Sequence, residues 1–448
     1  MLALIVLGII FYKERVIFCD TAYQAVYLLI EQKPYINLIR AGSVIPQLIP
    51  LIAIWLHAGL KTILVLHSVS FLIFFFVMYL IAYRCSERKM LFFLMPLYLI
   101  LITNEVFYWP QSELQQGMIW LCLYAVLLFE KKWEGLNQWL SLGIHFIFIL
   151  WIQFFHPLLF FPILFLVIYY YDSESKLYSR KSFFYLSACA LSFGIRSVAG
   201  MFNIYEKGKL NIGASIKNNL PHFFSLNSVH TFLYKIPSSY CIYMLVLCMG
   251  ILWLVLNKKY IKAITAAGFS LGYWVLIMIS SASDNRFYTE NMLLPLGFIA
   301  VLPIVADILP AHNNRSVLLI VVTAIILRLG GIYLAHRDYT ARFAIYEPYF
   351  EYLHEHKLNG VMVDKKAVDQ KQAIMTWGSG YESILISSLQ SPDSCRVVQI
   401  DENISKYDWC VNYDTSLVTI YAAWGESQLP KQYFRLRHGK YEILTKQP

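Results

Sequence analysis

Charge is what this sequence has least of. Lys, Arg, Asp and Glu supply 15% of its 448 residues, against about 25% in an ordinary soluble domain. With 58% of residues hydrophobic and a mean hydropathy of +0.53, a water-soluble globule of this size would lack the polar groups to cover its surface. Glycine (21), proline (16) and cysteine (8) are too few for a collagen-like, low-complexity or disulfide-stapled chain. No Cys-x-x-Cys, Walker A, Gly-x-Gly-x-x-Gly or Gly-x-Ser-x-Gly sequence occurs, so the motifs of zinc ribbons, nucleotide folds and serine hydrolases are missing. The net charge of +9 is spread over loops rather than gathered in a patch. That suits the basic flanks of membrane spans and not a nucleic-acid surface. A polytopic membrane protein remains.

A span needs about 20 mainly apolar residues to cross about 30 Å of hydrocarbon. Eleven stretches qualify, several of them short: 1–18, 62–83, 90–103, 116–130, 140–155, 157–171, 182–195, 240–257, 261–281, 291–309 and 316–335. Basic residues mark alternate loops, at Arg84/Arg88/Lys89, Lys131/Lys132, Lys176/Arg180/Lys181, Lys258/Lys259/Lys262 and Arg315, while the loops between are nearly bare. The positive-inside rule then puts the amino terminus in the cytoplasm and the tail outside, as in a bacterial inner membrane. Residues 44–60 would flip this parity as a span; with Pro46 and Pro50 they read as an interfacial or re-entrant helix. Ala22, Ala25, Val26, Leu29 and Ile30 form one apolar helical face, expected to lie on the membrane surface. At the first span, eleven mainly apolar residues precede Lys13-Glu14-Arg15, and no cleavage site follows. Either the span runs to Phe18 with its charges snorkelling, or the sequence omits some starting residues.

The expected fold is an all-α polytopic membrane protein of about 11 transmembrane helices, with surface helices in the first outer loop and a small C-terminal α/β domain. The membrane module covers 1–335, with outer loops at about 19–61 and 196–239, and the tail domain covers 336–448. In the tail, 360–364 and 396–401 read as strands, 341–357 and 379–390 as helices, and the stretch across His438-Gly439 as a hairpin. Cys395 and Cys410 either pair or remain free thiols. His354-x-His356 lacks the spacing for two ligands on one helical face and reads as a solvated helix end.

The informative charges are those at the outer surface. Asp20, just past the first span, is either a helix N-cap or a general base at the water–lipid boundary. Glu105 and Glu113 flank an aromatic loop free of cations, as interfacial residues or as acids that position a substrate. His156 ends a span and is either solvated or a contact for an anionic head group. Arg286 pairs with Asp284 or Glu290, or offers its fork to a phosphate, a task Arg196 and Arg328 can share. Arg328 lies about 12 residues inside the last span, where an ionisable group is costly.

This layout resembles the GT-C superfamily of integral-membrane glycosyltransferases, which use polyprenyl-phosphate or polyprenyl-diphosphate sugar donors. The resemblance rests on a span followed at once by Phe18-Cys19-Asp20-Thr21-Ala22-Tyr23, surface helices behind it, the Glu105–Glu113 loop, Arg286-Phe287-Tyr288 before Met292-Leu293-Leu294-Pro295, and an external tail domain. It implies Asp20 as catalytic base, Glu105 or Glu113 as the second-loop acid, and Arg286 as phosphate contact with Arg328, Arg196 and His156 in support. Thr21 and Ala22 stand where metal-dependent members carry a further acid. The likeness therefore implies the metal-independent branch, similar to protein mannosyltransferases and lipid A aminoarabinose transferases, with no cofactor; a metal bridging Asp20 and Glu113 is the less favoured version. The implied partners are a polyprenyl-phosphate-linked sugar, a glycan, lipid or protein acceptor, and membrane lipids, with no nucleic acid. The competing readings are an envelope polysaccharide polymerase or ligase using diphosphate-linked donors, and a non-enzymatic transporter or scaffold.

Overall fold

The computed structural model describes the chain apart from residues 37–38, 88–89, 134, 174–178, 204–211, 282–285, 312–314, 370–372, 374, 413–415 and 437–438, and the side chains of 173, 212, 286, 315–318 and 410–412. Seven helices are long and apolar enough to cross a membrane: Leu60–Cys85, Gln138–Phe155, Arg180–Met201, Asn227–Leu256, Tyr260–Ser280, Phe287–Ala311 and Leu319–Glu355. Four shorter apolar helices accompany them, at Ala41–Trp55, Leu91–Leu101, Glu113–Phe129 and Pro157–Asp172. The protein is an all-α polytopic membrane protein with a small mixed α/β region near its C-terminus.

Residues 1–18 do not form the single helix expected of them. Leu2–Ile10 and Tyr12–Val16 are separate helices, broken at Phe11, and a third begins at Cys19. Arg15, in the second of these helices, does not snorkel. It is buried, donates from Nε to Ser68 Oγ (2.9 Å) and from Nη2 to Ser68 O (3.2 Å), and bonds the Phe107 carbonyl through Nη1. A guanidinium that finds acceptors inside the protein has no need to reach water.

Three other boundaries move. The helix expected from 240 begins at Asn227, since its polar first turns are continued through a π-turn at Ile236–Tyr240. Arg286 opens helix Arg286–Pro303 instead of lying in a loop. The last long helix, Arg315–Phe343, runs past residue 335 toward the tail.

In the tail, strands β1 (Gly360–Asp364), β2 (Val397–Asp401) and β5 (Tyr441–Leu444) form a parallel sheet in the order β2-β1-β5. Parallel neighbours need a crossover, and helix Ser379–Gln390 links β1 to β2. Strands β3 (Ser416–Val418) and β4 (Ala423–Gly425) pair antiparallel. The hairpin expected across His438-Gly439 falls on residues 437–438, outside the described residues; β5, which follows them, pairs with β1.

Helix Cys19–Glu31 buries the expected face, with Ala22, Ala25, Val26 and Leu29 almost fully covered. The cover is protein. One apolar core joins residues 16–64 to Tyr381, Ile384, Leu385, Val397 and Phe434 of the tail. Gln432 Nε2 also donates to His57 O (2.7 Å), and Tyr433 Oη to Ala58 O (3.1 Å).

Candidate functional site

Four segments far apart in sequence meet at one end of the bundle. The Phe18 ring packs edge-on against Phe287 at 4.9 Å and Tyr339 at 5.1 Å, and Phe287 receives Trp109 at 5.2 Å. The 104–112 loop is strapped down from the same helices. Glu290 Oε1 accepts the backbone N–H groups of Asn104 (2.6 Å) and Val106 (2.9 Å). Ser112 Oγ donates to Asn291 Oδ1 at 2.5 Å, and Tyr339 Oη to the Glu105 carbonyl at 3.1 Å.

Asp20 is half-buried in the first turn of helix Cys19–Glu31. It is not the N-cap, since Phe18 holds that position without a side-chain cap. Helix N–H groups left without partners are expected there, and the tail supplies one acceptor: Cys19 N–H donates to Glu382 Oε1 at 2.9 Å. Cys19 itself is held at φ 41°. Tyr23 and Tyr27 follow Asp20 at i+3 and i+7, on one helical side, and both rings pack against Tyr35, at 5.1 and 4.9 Å.

Tyr35 lies in the field of both candidate acids. Burial first, then a hydrogen bond with Tyr23 and the charges of Glu113 and Asp20, push its phenol well above the usual tyrosine range. It is therefore a neutral hydroxyl within electrostatic reach of both carboxylates. Glu113 is buried at the start of helix Glu113–Phe129 and accepts from Arg40 Nη1 at 3.0 Å through Oε2. Its Oε1 is buried with no hydrogen-bond partner among the described residues. Arg40 is anchored by the chain behind it: a Cβ at Gly42 would lie 2.1 Å from the Phe155 ring. His156 follows Phe155, and its Nδ1 accepts the Leu158 N–H at 3.2 Å. Above Tyr23 lie Tyr381 (4.9 Å), Trp377 (6.2 Å) and Tyr421 (6.2 Å) of the tail, an aromatic wall beside Asp20.

Other sequence candidates sit differently. Glu105 pairs with Lys235 Nζ at 3.1 Å, on helix Asn227–Lys235. The Arg286 side chain lies outside the described residues, although its neighbour Phe287 is part of the convergence. Arg196 is buried in helix Arg180–Met201. Arg328 donates to neutral oxygens: Ile100 O (3.0 Å), Thr103 O (2.9 Å), Asn104 Oδ1 (2.8 Å) and Ser239 O (2.7 Å). Helix Leu94–Leu101 ends at this point, and its carbonyls need donors where no water is present. Arg328 supplies them.

Sequence reasoning missed Arg40, Tyr35 and the Glu382–Arg342 pair. Arg40 left one signal, a lone arginine before Ala41-Gly42-Ser43 in a loop otherwise poor in charge. Tyr35 and Glu382 left none, since their neighbours are distant in the chain. Among the described residues, no three His, Cys, Asp or Glu side chains are grouped as a metal site requires. Cys395 is a buried free thiol, and Cys410 has its side chain outside the described residues. No protein-family model, curated protein or solved structure matches this chain.

Proposed function

We propose that the protein transfers a sugar from a polyprenyl-phosphate-linked donor to an acceptor hydroxyl at the extracytoplasmic face, with Asp20 as general base. The observation that carries this reading is geometric: the aromatic rings of the tail pack on Tyr23, one turn along the helix from the half-buried Asp20, while Glu113, paired with Arg40, keeps one oxygen without a hydrogen-bond partner among the described residues. A carboxylate on a half-buried surface is placed to take a proton from a hydroxyl, and aromatic faces beside it suit the apolar faces of sugar rings. The acceptor oxygen gives its proton to Asp20 and attacks the anomeric carbon. The bond from that carbon to phosphate breaks, polyprenyl phosphate leaves with the electron pair, and the anomeric configuration inverts. In this reading Arg286 holds the phosphate, compensating the charge that grows on it. Arg40 and Glu113 orient the acceptor, and Arg328 acts indirectly by fixing the Glu105–Glu113 loop. The basic loops then face the cytoplasm, and the first helices and three of the shorter apolar ones complete eleven crossings with the seven long helices.

The test is the full-length protein in membranes with a panel of polyprenyl-phosphate-linked sugars and extracted envelope glycans and glycolipids as acceptors. Asp20→Asn, at unchanged protein level, lowers product formation by about 10² or more. Product equal to wild type ends the proposal.

A further inference from the structure

A cavity of about 250 Å³ lies near the end of helix Glu113–Phe129 opposite Glu113. Seventeen helical residues separate the two regions, about 25 Å, so this cavity is distinct from the junction at Tyr35. Its lining includes Lys131, Lys181, His145, Trp133, Tyr170 and Tyr185, and none of its described lining residues is acidic. Local structure explains the composition. Helix Glu113–Phe129 ends in a turn that holds Lys131 at φ 53°. Helices Gln138–Phe155 and Arg180–Met201 both start at this rim, with Gln138 and Lys181 in the lining. Their N-terminal dipole ends add positive potential to the two lysines.

The second observation is His145, which is 5% exposed and lines the cavity. Its ring is held between Trp133 (4.5 Å) and Tyr185 (4.4 Å), and Nδ1 shares a hydrogen bond with Tyr124 Oη at 3.0 Å. Nε2 has no hydrogen-bond partner among the described residues. When Tyr124 donates to Nδ1, the ring proton resides on Nε2, a donor left available at the cavity that His145 lines. Two ammonium groups, one ring N–H and two helix N-termini share one preference, an anionic oxygen cluster.

We infer that this cavity binds the phosphate of an anionic glycerophospholipid. The cavity adjoins the ends of apolar helices among Trp and Tyr side chains, the depth at which head groups lie. Basic pockets between spans favour such lipids. The phosphate is shared by Lys131, Lys181 and His145 Nε2, Ser141 and Gln138 are available to the glycerol hydroxyls, and the acyl chains leave along the apolar wall. The proposal is independent of the Asp20 chemistry.

Native mass spectrometry of the full-length protein in detergent tests it, with dioleoyl phosphatidylglycerol, dioleoyl phosphatidylcholine and soluble glycerol 3-phosphate as probes. Wild type retains phosphatidylglycerol in preference to phosphatidylcholine. Lys131→Gln and Lys181→Gln each weaken retention by about 5-fold, while Lys131→Arg restores it and Lys258→Gln, at an exposed lysine outside the cavity, leaves it unchanged. Equal retention of phosphatidylcholine, or an equal loss with Lys258→Gln, overturns the site. Binding of glycerol 3-phosphate as tight as that of the lipid overturns the lipid assignment.

Discussion

Arg15 and Arg328 show how a guanidinium is kept inside an apolar protein. Each is almost fully buried and engages backbone carbonyls as well as side-chain oxygens. For Arg328 two of the acceptors, Ile100 O and Thr103 O, lie at a helix end that lacks its own donors, so Arg328→Leu leaves those carbonyls unsatisfied. It is expected to cost at least about 3 kcal/mol, read as a loss of thermal stability in detergent, with weaker activity following as the 104–112 loop loosens. Cys395 gives a second prediction. Burial pushes its thiol up to about 11, against smaller opposing effects from Ser388 and Arg396. The folded protein holds this proton more tightly than the unfolded chain, so the associated stability is complete below about pH 9 and disappears as pH rises through about 11. At pH 8, iodoacetamide should leave Cys395 unmodified in the folded protein and label it after denaturation, as peptide mass spectrometry would show. Rapid labelling of the native protein would contradict the burial.

The element that matters most for the candidate site is helix Ser379–Gln390. Its Glu382 is fully buried and accepts from Arg342 Nε (2.8 Å) and Nη2 (3.0 Å), from Tyr346 Oη (2.7 Å) and from Cys19 N–H (2.9 Å). One carboxylate thus joins the last long helix, the tail and the residue beside Asp20. Removing one partner of a buried pair strands the other charge, at a cost of about 3–5 kcal/mol. Glu382→Gln is therefore expected to release the tail, seen as protease cleavage within 344–448 at concentrations the wild type resists. The close approach also depends on Gly378, where a Cβ would stand 2.6 Å from Cys19 Cα. Backbone cannot yield as a flexible side chain does, so Gly378→Val should disturb Asp20 and the tail together. If Gly378→Val melts and cleaves like wild type, the helix does not dock as described.

For the whole molecule, the tail and the first loop share a core, so a chain stopped at residue 355 would expose Ala22, Leu29 and Leu51. Such a truncation should melt well below the full chain. Orientation has a direct test. Single cysteines at Lys431 and Lys258, both exposed, in a background with Cys85, Cys241 and Cys248 changed to serine, should react with a membrane-impermeant maleimide from opposite sides of intact cells. Lys431→Cys is expected to label from outside. Labelling of Lys258→Cys alone from outside would reverse the topology and with it the extracytoplasmic reading.

What the chain determined by itself is what depends on local composition. Scarce charge specified a membrane protein, runs of apolar residues located all seven long helices, and the 3.6-residue period marked the buried face of Cys19–Glu31. Strands β1 and β2 and helix Ser379–Gln390 were also legible, being short patterns bounded by polar residues. Hydropathy could not foresee that Arg15 would find acceptors at Ser68 and Phe107 inside the protein, because that depends on residues remote in sequence. Nor could it place β5 beside β1 or the tail over the first loop. At the candidate site, Asp20 and Glu113 were recognisable as isolated acids, but the pairing of Glu113 with Arg40 and the packing of the tail's rings on Tyr23 were decided by tertiary structure alone. Charge and hydropathy are properties of a residue and its neighbours in the chain. The Arg40–Glu113 and Arg342–Glu382 pairs exist only once separate elements have buried their apolar faces against one another.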